Sequence, residues 1–68
     1  MDDHVYKIIE ITGTSVNSCD EAVSNAVSKA SSTINNVKWF QVVEKRGAIV
    51  DGKIDRWQVT IKLGFTMH

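Results

Sequence analysis

The chain contains no proline, a single cysteine, and few aromatic residues: two tryptophans, two phenylalanines and one tyrosine. With Cys19 alone, no disulfide can close within the chain, and no Cys/His set has the spacing of a zinc site. Charge of either sign is not in excess. Lys plus Arg and Asp plus Glu number 8 each, so no basic stripe offers the electrostatic footprint of a nucleic-acid binder. No apolar run approaches the roughly 18 residues of a membrane span, and no lipidation motif is present. The opening Met1-Asp2-Asp3-His4 is acidic, unlike the basic start of a secretory signal, so a soluble, cytoplasmic protein is expected. Internal repeats and low-complexity linkers are also missing.

At 68 residues the chain forms one domain, 1–68. A single core of this size rarely supplies more than about 3–5 kcal/mol and usually needs a further staple. Disulfide and metal being excluded, oligomerisation is the staple that remains.

The residues present divide cleanly. VYKIIEIT, residues 5–12, is rich in β-branched and aromatic side chains and closes on Gly13, which predicts a first strand. Ser18-Cys19-Asp20-Glu21 has the S-x-x-E spacing of a capping box, so a helix is expected from Cys19. Ala22, Val23, Ala26, Val27, Ala30 and Ile34 then form one apolar stripe. Asn35-Asn36 is the expected stop, because Asn tolerates the left-handed conformation. Two further strands follow, Val37–Arg46 and Ile54–Thr66, joined through Asp51-Gly52. In the last strand Trp57, Val59, Ile61, Leu63 and Phe65 alternate with Arg56, Gln58, Thr60, Lys62 and Gly64, which assigns Trp57 to the core. The expected fold is α+β: a β-α-β-β subunit whose three-stranded antiparallel sheet carries one helix on one face. The other face is left for a ligand or another subunit.

Trp39 draws attention because Phe40 takes the core parity, turning the indole to the opposite face. A hairpin closing near Asp51-Gly52 gives positions 39 and 58 like orientation on neighbouring strands, so the Gln58 amide is expected within reach of the same patch. A flat indole beside a group with one acceptor and two donors suits a planar heterocycle of alternating edge, such as a flavin pyrimidine ring. Trp39 as a ligand-free interface anchor fits the spacing equally well. Arg46-Gly47 could meet a phosphate, or could be a solvated charge before a turn. No catalytic constellation is expected: Cys19 has no histidine near it in sequence, Glu10 and Glu44 stand apart, and His4 and His68 lie at the ends, where metal binding is not expected.

Taken together, HVYKIIEITGTS, EAVSNAVSKA, VKWFQVVEKRGAI and WQVTIKLGF resemble the dodecins across nearly the whole chain. The resemblance implies a hollow, roughly spherical homododecamer that binds flavin without turnover, storing it and quenching its excited state. It implies stacking of the flavin on Trp39, in pairs between tryptophans of symmetry-related subunits, and hydrogen bonding by Gln58. Arg46 would contact the phosphate of FMN, which favours FMN over riboflavin as cofactor. Coenzyme A is a further ligand by the same analogy, with no residues to assign, and a structural assembly without flavin is the alternative. Gln41 departs from the pattern, standing where many relatives have glutamate. Arg46 lies on the core parity of a regular strand, so its role requires a bulge, a bend, or contact with another subunit's site.

Overall fold

The computed structural model describes residues 4–67; the acidic opening residues 1–3 and His68 lie outside them. The order is β1 (Tyr6–Ser15), α1 (Cys19–Ser31), β2 (Val37–Val50) and β3 (Lys53–Thr66), with β3 central in a fully antiparallel sheet ordered β1-β3-β2. This is the β-α-β-β arrangement read from the sequence. The strands run further than expected: β1 extends past Gly13 to Ser15, and β2 continues through Gly47 to Val50. The hairpin turn falls on Asp51 and Gly52, both with positive φ (54° and 74°), the signature of a two-residue turn matched to strand twist.

The helix starts where expected, with the Ser18 hydroxyl accepting from the Glu21 amide at 3.0 Å. The reciprocal arm of the box is redirected. Glu21 accepts from the Ser15 hydroxyl (2.9 Å) and the Asn17 side-chain amide (3.0 Å), tying the helix start to the end of β1. The helix ends earlier than Asn35-Asn36, at Ser31, and Asn36 spends its left-handed backbone (φ 65°) on turning the chain into β2.

One face of the sheet packs on α1. The core is Ala22, Ala26 and Ala30 against Val59, Ile61 and Leu63, all buried, with Ile9, Ile11, Val23, Val27, Ile34 and Val37 around them. Alanine recurs every fourth helical position because the contact is very close. A Cβ on Gly13 of β1 would stand 2.1 Å from the Ala22 carbonyl oxygen and 2.8 Å from the Ala26 methyl. Some residues expected in the core, Trp57 and Phe40 among them, are not there. Trp57 shares the face of Val59 but is only half-buried, because it pairs with Ser15 on the last rung of β1, before the helix has begun. Phe40 pairs with Leu63 on the helix side yet is 51% exposed, since α1 lies over β1 and β3 rather than β2.

Gly13→Ala is expected to push α1 off the sheet and to cost about 1–3 kcal/mol, the usual range for overpacking, measured as a lowered denaturant midpoint. An unchanged midpoint would mean that the helix–sheet spacing is not set there.

Candidate functional site

The face turned away from α1 is arranged by two extra residues in β2. The register shifts between Val37 and Trp39 and again between Val42 and Glu44, so Lys38 and Val43 are unmatched on β3. Each such bulge reverses the alternation downstream. The first sets Trp39 opposite Gly64 while Val37 stays with Phe65 on the helix side; the second sets Glu44 opposite Thr60 and Arg46 opposite Gln58. Arg46, on the core parity of a regular strand, therefore joins Trp39 on the far face, through a bulge of the kind its expected role required.

Trp39 lies against the sheet because position 64 has no side chain. A Cβ there would come within 2.1–2.6 Å of the indole atoms Cε2, Cζ2 and Nε1, so the bare backbone of Gly64 is the bed on which the ring rests. Tyr6, from the far edge of the sheet, meets the indole edge-to-face with ring centroids 6.0 Å apart and an interplanar angle of 65°, a favoured geometry for aromatic pairs. His4 continues the row, 6.3 Å from Tyr6. Sequence reading passed over Gly64 and Tyr6; the signal for Gly64 was a glycine within a strictly alternating strand.

Gln58 shares the face but not the place. Its cross-strand partner is Arg46, whereas that of Trp39 is Gly64. Six residues of β3 separate the two, about 20 Å at the usual rise per residue. The expectation that one subunit unites Trp39 and Gln58 in one patch is thus corrected by the register. Gln58 instead meets Arg46, whose Nε donates to the amide Oε1 at 2.9 Å. The Nη1 of Arg46 reaches the Glu44 carboxylate at 3.4 Å, both side chains being about half-exposed. Between the two ends lie Gln41 opposite Lys62 and a Thr12–Thr60 hydroxyl contact of 2.8 Å.

The remaining candidates stay apart. Cys19 is half-buried at the helix start and packs against the core. Among the described residues no three His, Cys, Asp or Glu side chains gather as a metal site would need, and no helix is long and apolar enough to cross a membrane. A cleft of about 520 Å³ opens between α1 and the outer edge of β1, bordered by Ile9, Ile11, Asn25, Lys29 and Ile34, away from Trp39.

A dodecin family model matches residues 5–68. A dodecin of Thermus thermophilus is 35% identical over 64 residues, spanning 94% of this chain and 93% of that protein. The solved dodecin of Streptomyces coelicolor superposes with a TM-score of 0.94 at 46% identity, covering 100% of this chain and 97% of the other. The calcium dodecin of Mycobacterium tuberculosis, described with a novel calcium-binding site, superposes at 0.83 with 32% identity over 94% and 91% of the two chains. With this sheet order, helix placement and full-length match in agreement, the chain belongs to the dodecin family.

Proposed function

We propose that this chain is a non-catalytic flavin-binding subunit, taking FMN and secondarily riboflavin, that stores the ligand within a hollow homododecamer. The observation that carries the reading is the Trp39 indole lying on the bare backbone of Gly64, on the face that α1 does not cover. A planar side chain held flat against a sheet is a stacking surface with little freedom left to lose, and stacking on aromatics tolerates any flat ring. Bound there, a flavin supplies a light-absorbing, electron-accepting ring, and the electron-rich indole in contact with it provides the means of quenching.

The other residues fit the same ligand in different ways. Gln58 offers hydrogen bonds to a heterocycle edge, and the Arg46 guanidinium suits a phosphate. Because Gln58 lies about 20 Å along β3 from the Trp39 platform, a ring stacked on one subunit's Trp39 meets a Gln58 only from another copy. The site is completed by assembly.

Exposed surface supports assembly independently. The ends of β2 and β3 beyond the last rung of β1 form a two-stranded arm, on which Ile49, Val50 and Ile54 are 71%, 52% and 58% exposed. Two-stranded ribbons are marginal alone, and clustered exposed aliphatics of this kind mark contact surfaces. Turnover has no place in this reading. A ring enclosed between two indoles offers no face to a substrate.

The particle is expected to weigh near twelve subunits by gel filtration with light scattering; a folded monomer at micromolar concentration would overturn the assembly. Wild type should quench most of the fluorescence of added FMN. Trp39→Ala should abolish quenching and weaken binding by about 1–3 kcal/mol or more, the scale of aromatic–base stacking, while leaving particle size unchanged. A dissociated variant would identify Trp39 as an interface anchor, and unchanged flavin emission with wild type would defeat the flavin reading. Gly64→Ala should displace the indole and weaken FMN binding although Trp39 is still present; equal affinity would show that the bed is not needed.

A further inference from the structure

We infer that Arg46 is a positioning residue that fixes which way round the Gln58 amide faces, an inference that rests on Gln58 reading the ligand edge as proposed above. A glutamine at an open strand position can rotate its amide by half a turn, exchanging donor and acceptor at nearly the same two points in space. Here the exchange is blocked. Arg46 Nε lies 2.9 Å from Gln58 Oε1. A guanidinium has five donors and no acceptor, so the amide atom that meets it has to be the oxygen. The amide nitrogen is thereby turned away from Arg46, with its two donors free for another partner.

Arg46 is itself held in place. It is the cross-strand partner of Gln58, and its Nη1 reaches Glu44 at 3.4 Å, two residues back on the same strand. All three groups share a face because the Val43 bulge reverses the alternation of β2 before Glu44. The arrangement is a chain of charge-assisted contacts ending in a neutral amide of fixed polarity. A ligand atom facing the Gln58 nitrogen must therefore be an acceptor: a carbonyl oxygen or an unprotonated ring nitrogen. Arg46 thus serves even a ligand without phosphate, which separates this role from a phosphate contact.

Riboflavin, which lacks the phosphate, is the probe. Arg46→Met keeps a long apolar stem and removes the donors; it should weaken riboflavin binding about tenfold in the wild-type background, the scale of one hydrogen bond involving a charged partner. In a Gln58→Met background the same change should have almost no further effect, since no amide remains to orient. Losses that simply add, or a variant that weakens FMN but leaves riboflavin untouched, would overturn the inference. A second measurement needs no ligand: nitrogen-15 relaxation of the Gln58 side-chain amide should report a rigid group in wild type and a mobile one in Arg46→Met. Equal mobility in the two proteins would also overturn the inference. A wild type that binds no flavin would sink the proposed function, while the relaxation comparison would still judge the Arg46–Gln58 lock.

Discussion

One helix has to cover three strands, and it is too short and too narrow to do so. Thirteen residues of α1 give a rod of about 20 Å, against 14-residue strands β2 and β3 of about 45 Å each. Its alanine face sits tightly on β1 and β3, so its reach stops short of β2. Phe40, Val42 and Ile49 are left open on the helix side, the hairpin arm projects bare, and no element among the described residues covers the opposite face. The subunit is 55 Å in its longest dimension and only 14 Å in its shortest, a shape that buries little surface by itself. Assembly is the remedy this geometry leaves open.

Two glycines use the same device on opposite sides of the sheet. Gly13 lets α1 approach β1 until helix carbonyl and strand nearly touch, and Gly64 lets the Trp39 indole lie on β3. In each case the space of the missing Cβ is taken by a neighbour, the Ala22 carbonyl and Ala26 methyl at Gly13 and the Trp39 ring at Gly64. The polar end of the far face follows a different rule. A half-exposed Arg46–Glu44 pair is worth about 0–1 kcal/mol by the usual scale for surface ion pairs. What such a contact supplies is direction: it limits where the guanidinium points, and so which amide atom it meets.

The fold was legible in the sequence because its signals are local and regular: alternation in β3, alanine at every fourth position of α1, a cap at Ser18 and a turn at Asp51-Gly52. The site was legible only in part. Trp39 was found through the parity of its neighbour, but that parity holds only locally, being reset by unmatched Lys38 and Val43. Bulges leave no residue signature strong enough to place them, and without them neither the Trp39–Gly64 nor the Arg46–Gln58 pairing follows. The separation of about 20 Å along β3 between the Trp39 platform and Gln58 was lost for the same reason, since orientation can be read from a period while register needs an origin. Trp57 and Phe40 have the right parity for the core but lie beyond the helix's reach, and parity carries no information about the length of the covering element.

The bulge at Val43 makes chain length itself part of the binding face. Between Trp39 and Arg46 the far face is kept by an odd residue rather than by the identity of any side chain. Adding one residue there would not merely lengthen β2. Unless a further bulge absorbed it, it would exchange the sides of every position on one flank of the insertion, bringing Lys45 to the face now held by Arg46, while composition and net charge stayed almost the same, whereas losing the odd residue Val43 would leave a regular ladder with the same faces. Substitutions can wear such a surface down by degrees, but a single-codon insertion inverts it at once. The positions between Trp39 and Arg46 should therefore tolerate changes of residue far more readily than an added one.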